Sequence, residues 1–371
     1  MNNRALILGI SSLAFFLSYF LRLSWGIVSV YSTLKPTVYQ NSLIFSLFFL
    51  GYVIVQIPAG IFSEKYNSAR IVSLSLLGLA FSSILSGIAN NINMEYFASF
   101  LMGFSGGWIY PNTIKLFSAS FKDKKLPIAM SIYSLSWPLS IIIAGSFLPY
   151  ISIETNWRIP YYIFGLIAFL TFLPSLFIIF KNNPQKINLK FYFNKNIIIL
   201  SSGGFLFFAS YWIITLYSYK YFILSGIDPI LSGIIYSMMA VAGIPGTLLA
   251  GFIINRFGVK KVLVVYEFIY AFLALFLIFV NIYLIIIIAL SMGFIRFTIT
   301  PANSTILAQI GKENAGNFAG TVNFFWQSAG IFGPLLASYI LTNFNYYDLW
   351  ISVFIMTIIS GLVYLNIKIK N

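Results

Sequence analysis

One short phrase occurs twice in this chain, half its length apart, and it limits the possible architectures more than any other feature. It reads Gly60-Ile61-Phe62-Ser63-Glu64-Lys65-Tyr66-Asn67-Ser68-Ala69-Arg70 the first time and Gly251-Phe252-Ile253-Ile254-Asn255-Arg256-Phe257-Gly258-Val259-Lys260-Lys261 the second. Each copy closes one long apolar run and opens the next, and the second glycine follows the first by 191 residues in a chain of 371. An unrelated landmark keeps the same register. Met102-Gly103-Phe104, with Pro111 eight residues past its glycine, returns as Met292-Gly293-Phe294 with Pro301 eight past its own, an offset of 190. Two independent landmarks at one period mean a duplicated architecture.

Composition places that duplication in lipid. Sixty per cent of the residues are hydrophobic and 8% are charged, against roughly 25% charged in soluble domains. The absence of cysteine and histidine excludes disulfides, thiol catalysis and histidine-based metal or proton chemistry, so no metal or cofactor is expected. A net charge of +14 suggests nucleic acid until its distribution is read: the basic residues fall in alternate short loops, which is the pattern of a membrane protein and not of a nucleic-acid partner.

A spanning helix needs about 20 mostly apolar residues, which leaves room for twelve. The apolar runs predict spans at about 5–31, 39–62, 70–91, 94–118, 126–150, 158–181, 196–220, 229–253, 260–280, 282–306, 314–341 and 346–367. The first run is too long for a signal peptide, carries Arg22 and lacks a small-residue cleavage site, so it reads as an uncleaved span. Lys181 to Lys195, with Pro184 and four lysines, is the only non-apolar stretch of any length. The expectation is an all-α membrane protein of two six-helix bundles, 1–182 and 196–371, joined by a linker at 183–195. With the amino terminus in the cytoplasm, seventeen of the 22 basic residues fall inside and three (Lys35, Arg158, Lys220) outside, so the positive-inside rule puts both termini in the cytoplasm.

Twelve spans in two repeats, a midpoint linker, and a Gly-x-x-x-Asp-Arg-x-Gly-x-Arg/Lys-type loop after spans 2 and 8 resemble the major facilitator superfamily over essentially the whole chain. The resemblance implies a plasma-membrane secondary transporter, monomeric, working by alternating access without a cofactor. It makes the repeated loops a cytoplasmic gate: Gly60, Glu64 and Arg70 in the first copy, Gly251, Asn255 and Arg256 in the second, with the acid beside a helix amino terminus and the basic residues bridging the loop. Glu64 makes the first latch charged; Asn255 makes the second neutral. The plainer alternative is that both are simply tight, positively charged loops. Ser99 stands where many members carry an arginine associated with proton coupling, and Trp137-Pro138 is all that remains of the antiporter pattern of span 5. Tyr19-Phe20-Leu21-Arg22 and Tyr110-Pro111-Asn112 are similar to spans 1 and 4 of the family's organic-anion carriers.

An ionisable side chain inside a span costs at least about 2.5–3.5 kcal/mol and is a functional candidate by default. Three qualify: Arg22 in span 1, Arg296 in span 10 and Glu267 in span 9. The resemblance puts spans 1, 4, 7 and 10 around a central cavity, where two guanidiniums would repel each other until an anion lies between them. Either arginine could instead snorkel to an interface or bond helix carbonyls. Thr300 and Asn303 share the face of Arg296. Glu267 reads either as the ion-pair partner of Lys260 or as a proton-coupling carboxyl, the only intramembrane acid available for that role. Tyr19, Trp108, Tyr110, Tyr133, Tyr217 and Asn323, with Trp137 and Gln327, complete the candidate substrate site. The substrate expected is a small organic anion such as a carboxylate or sugar acid, carried with protons or against a counter-anion. Export of amphipathic drugs is the alternative reading, and no set of residues in the spans suggests an enzyme.

Overall fold

The structure is a computed structural model that describes residues 3–121, 125–180, 195–279, 281–311 and 315–368. Those residues form helices and no strand. The chain divides into two compact units, Met1–Asn188 and Leu189–Asn371. Unit 1 holds α1 (Asn3–Val28), α2 (Val38–Lys65), α3 (Ser68–Gly87), α4 (Ile92–Gly107), α5 (Ile109–Ser120), α6 (Lys125–Ser134), α7 (Ser136–Glu154) and α8 (Ile159–Ser175). Unit 2 holds α9 (Lys195–Leu224), α10 (Pro229–Val241), α11 (Gly243–Phe257), α12 (Val259–Phe276), α13 (Ile282–Gly311), α14 (Ala315–Asn343) and α15 (Tyr346–Tyr364). The linker 183–195 falls almost entirely outside the described residues, as do Lys122, Lys124, Lys181, Lys186, Lys190, Lys312 and Lys370, which entered the orientation count.

Fifteen helices make twelve passages because three spans are each broken once, at Trp108, Leu135 and Ala242. One chemistry explains all three breaks. Pro111, Pro138 and Pro245 each stand third in the second half of their span, where a missing N–H is tolerated because the first turn has no intrahelical acceptor. At the first break the carbonyl that proline cannot serve is not left bare, since the Gln56 side chain donates to Gly107 O at 3.0 Å. Among the described residues, nine segments are long and apolar enough to cross a membrane. Of the other three passages, α8 has only 17 residues, α12 carries Lys260, Lys261 and Glu267, and span 4 carries Glu95, Asn112 and Lys115.

The duplication is visible in the packing. A Cβ added at Gly103 would lie 1.8 Å from the carbonyl oxygen of Phe48, and one at Gly293 would lie 2.0 Å from that of Met239. Met239 follows Phe48 by 191 residues, so α4 on α2 and α13 on α10 meet at equivalent glycines. One turn further the same contact is solved from opposite sides. In unit 1, Gly107 admits Val55 and the Tyr52 backbone; in unit 2, Gly243 admits the Phe297 ring.

The repeated phrase differs from its expected loop form, because most of each copy is helix. α2 runs to Lys65 and α11 to Phe257, so Gly60 and Gly251 lie in helical turns, with open space around an added Cβ. The turns themselves use different devices. Asn67 caps α3 by accepting from the Ala69 and Arg70 N–H groups, whereas Gly258 takes a left-handed φ of 83° that favours glycine.

Candidate functional site

In unit 1 the Arg22 guanidinium is 1% exposed and lies among four rings: Tyr19 at 4.3 Å, Tyr52 at 4.4 Å, Phe49 at 5.0 Å and Phe48 at 5.3 Å. The spacing builds this cage. Tyr19 sits one turn before Arg22 on α1, while Phe48, Phe49 and Tyr52 form one stripe of α2. Ring faces attract a buried cation electrostatically, so the arginine is held within the span and does not snorkel. Tyr19 also starts an aromatic cluster. Its ring is 5.0 Å from Phe15 and 5.4 Å from Trp137. Phe15 stacks on Tyr133 at 4.5 Å and lies 6.0 Å from Tyr110. Four of the aromatic residues expected from sequence thus come together, on helices α1, α5, α6 and α7.

Trp108 is a correction. Standing at the break of span 4, it turns its ring to Phe62 at 5.3 Å and Phe104 at 6.1 Å, two side chains that are themselves exposed. It belongs to the apolar outer surface of unit 1 and not to the cluster around Phe15.

In unit 2 Arg296 is 2% exposed. Its Nη1 donates to the Thr300 hydroxyl at 2.5 Å, one turn along α13, as the shared face predicted. The guanidinium lies 4.2 Å from the Tyr211 ring, 5.0 Å from Phe208 and 5.5 Å from Phe207. Trp326 of α14 stacks on Phe208 at 5.4 Å and donates its indole N–H to Leu200 O at 2.8 Å. That approach requires Gly204, where an added Cβ would stand 1.8 Å from the indole nitrogen. Asn303 is buried with neither side-chain polar atom hydrogen-bonded, and the Oε1 of Gln327 is likewise unsatisfied. Asn323 is half-buried.

Tyr217 is the second correction. Its ring is 6.4 Å from Tyr346, in a group with Tyr221 and Trp350, and the α9 rings on Arg296 are Phe207, Phe208 and Tyr211 instead. Sequence reading also missed Trp326. Its signal was the paired Gly203-Gly204, which leaves room on α9 for a large neighbour.

The gate residues divide between the units. Glu64 forms an ion pair with Lys115 of α5, across the bundle and not at a helix amino terminus. Arg70 is exposed and makes no ion pair among the described residues, so no basic bridge across the loop is seen there. At the positions related by duplication stand Asn255 and Thr305: both charges of the pair are absent together. Asn255 is exposed, and the Arg256 guanidinium lies 5.5 Å from the Phe257 ring. Ser99, in place of the family arginine, donates to Ile44 O at 2.7 Å and ties α4 to α2.

Glu267 is fully buried, and its Oε2 accepts from the Ser360 hydroxyl at 2.6 Å. Lys260 does not pair with it, because its ammonium donates to Ile367 O at 2.9 Å. Glu267 is also not the only intramembrane acid. Glu95, in the first turn of α4, is 0% exposed and hydrogen-bonded to Ser86. An acid just after a cap residue such as Asn91 reads in sequence as a solvated helix start, which is why it was passed over.

A family model described as Major Facilitator Superfamily matches residues 7–334. The chain is 25% identical over 147 residues to the probable galactarate/D-glucarate transporter GarP of Escherichia coli (strain K12), a match covering 38% of this chain and 33% of that protein. The chain thus matches about a third of the length of that curated relative. A longer match, 22% identical over 87% of this chain and 85% of the other, is to the Multidrug resistance protein 2 of Bacillus subtilis (strain 168). Among solved structures, a bacterial homologue of the human lysosomal transporter Spinster superposes with a TM-score of 0.81, covering 98% of this chain and 97% of the other at 14% identity.

Proposed function

We propose that this chain, which belongs to the major facilitator superfamily, is a secondary transporter that moves a small organic anion, a carboxylate or sugar acid, by alternating access. The observation that carries the reading is Arg296, a guanidinium buried in a span, oriented by Thr300 and ring-stacked by α9, with the unsatisfied amide of Asn303 two turns along the same helix. A guanidinium fork matches a carboxylate bidentately, and an unsatisfied amide is suited to a hydroxyl beside it. Arg22 supplies a second buried positive charge in unit 1. The relative named for galactarate and D-glucarate, both sugar diacids, agrees with that chemistry. The basic-residue distribution supports both termini in the cytoplasm of a plasma-membrane protein.

Moving a monoanion inward against 100 mV costs about 2.3 kcal/mol, so uptake needs a co-transported cation or exchange for an internal anion. Glu267, fully buried in span 9, is the coupling residue in this proposal, and Ser99 in place of the family arginine favours exchange or weak coupling. Export of amphipathic compounds is the second reading. The aromatic cluster of Phe15, Tyr19, Tyr110, Tyr133 and Trp137 and the relative named for multidrug resistance favour it.

Transport assays in proteoliposomes with a hydroxylated dicarboxylate, a simple monocarboxylate and a lipophilic cation separate the two. The anion reading expects uptake of a carboxylate that Arg296→Ala abolishes and Arg296→Lys restores in part, because lysine keeps the charge and loses the fork. Transport of the cation alone, or a wild-type carboxylate rate in Arg296→Ala, overturns it.

A further inference from the structure

Glu95 has no part in the proposal above, and its surroundings specify its chemistry. It lies where α3 ends and α4 begins, completely buried, with Ser86 of α3 and Tyr161 of α8 closing around it. The Ser86 hydroxyl oxygen is 2.6 Å from Oε2 and 2.8 Å from Oε1. The Tyr161 side chain lies beside the same serine. Ser83, one turn earlier on α3, donates to the Tyr161 carbonyl at 2.7 Å and is occupied there. Arg158, at the start of α8, is the charged group acting on Glu95, but it is no hydrogen-bond partner: its guanidinium donates to Asn90 at 3.2 Å.

The protons can be counted. A hydroxyl owns one proton and two lone pairs. If Glu95 were a carboxylate, two anionic oxygens would share the single Ser86 proton, and a charge would be buried without a hydrogen-bonded counter-ion, at a cost of several kcal/mol. If Glu95 carries a proton on Oε2, both contacts to Ser86 are satisfied. The acid donates to Ser86 Oγ, and Ser86 donates to Oε1. The shorter contact then belongs to the stronger donor.

Unit 2 holds a carboxyl in a similar way, though on helices that are not the duplication counterparts of α4 and α3. Glu267 of α12 meets Ser360 of α15, whose oxygen is 2.6 Å from Oε2 and 2.7 Å from the Gly203 carbonyl. One hydroxyl proton again faces two acceptors, and the contacts close only if the carboxyl supplies its own.

We propose that Glu95, with Ser86, is a second proton-binding site, loaded in this conformation and lying at the α3–α4 end of unit 1. On the orientation proposed above, Glu95 exchanges its proton with the outer solution, while Glu267 lies toward the cytoplasmic end. The ligand is a proton and the site asks for no other.

Potentiometric titration and infrared difference spectroscopy of the full chain in detergent test this without a transport substrate. Glu95→Gln, an isosteric neutral stand-in for the acid, is expected to bind one proton fewer per chain between mildly acidic and alkaline pH. It should also remove one neutral-acid carbonyl band and leave thermal stability near that of the unmodified chain. Ser86→Ala should keep the band and shift its frequency, which secures the assignment if the glutamine variant is unstable. An unchanged titration and band in Glu95→Gln overturn the proposal. So does a double-mutant cycle in which Glu95→Gln and Arg158→Gln are strongly coupled, since that is the behaviour of a carboxylate held by Arg158. The anion reading can fail in the transport assay while this site stands, and the reverse.

Discussion

The two units pack by the same rule and differ in where they place charge. Gly103 on Phe48 and Gly293 on Met239 are one contact used twice, because two helices that cross at backbone contact tolerate no side chain there whatever else the surface does. The ionisable groups obey no such repetition. Arg22 is on α1 against rings of α2, whereas Arg296 is on α13 against rings of α9. The Glu64–Lys115 pair of unit 1 has only Asn255 and Thr305 at its counterpart positions. Close packing is a steric demand that both copies inherit. Charge placement is a functional choice that each copy has made separately.

The packing half of that comparison is the easier to break. Gly103→Leu and Gly293→Leu should each prevent stable folding, with losses above about 3 kcal/mol from overpacking against backbone. Thermal unfolding in detergent measures this, and a tolerated leucine at either position would show that the seam is not shared. The arginines come next. Lysine should be tolerated better at position 22, where ring faces hold a point charge, than at 296, where the fork bonds Thr300. Carboxylate uptake in proteoliposomes should fall at least about tenfold more for Arg296→Lys, corresponding to about 1.4 kcal/mol. Equal losses would place the two arginines in one role.

Smaller effects sharpen the contrast at the one contact solved from opposite sides. Gly107→Ala meets the Tyr52 carbonyl at 2.8 Å as well as a Val55 methyl, whereas the atoms nearest Gly243→Ala are those of the Phe297 ring. A ring moves more easily than a backbone, so Gly107→Ala should cost about 2–3 kcal/mol and Gly243→Ala about 1. The smallest difference concerns the latch. Glu64→Gln should cost about 1 kcal/mol, since the Glu64–Lys115 pair is only partly exposed, and should shift the conformational equilibrium. Asn255→Ala should change stability by less than about 0.5 kcal/mol. Equal changes in accessibility labelling at the two positions would remove the charge asymmetry of the latches.

Much of the fold could be read from one dimension. The repeat offset and the length of the apolar runs are local properties of the chain, and each acts through chemistry that neighbouring helices do not alter. The candidate site was legible in part. Arg22, Arg296 and Thr300 were found because a charge, or a hydroxyl one turn from it, is conspicuous in an apolar helix. Tyr217 was chosen where Tyr211 is the ring on Arg296. The two lie six residues apart on α9, about 120° around the helix, and an all-apolar helix has no polar stripe to say which face turns inward.

The sequence by itself determined that this chain spans a membrane about twelve times in two related halves and carries positive charge inside its spans. The length and composition of each run bear on lipid directly, whatever the run packs against. Only the tertiary structure decided partners. Glu64 finds Lys115 rather than its own loop, Lys260 finds the Ile367 carbonyl rather than Glu267, and Glu95 is closed off by Ser86 and Tyr161. Each of those outcomes depends on the rotation of one helix against another. Rotation is set by the sum of many weak apolar contacts, none of which is visible in the spacing of a single run.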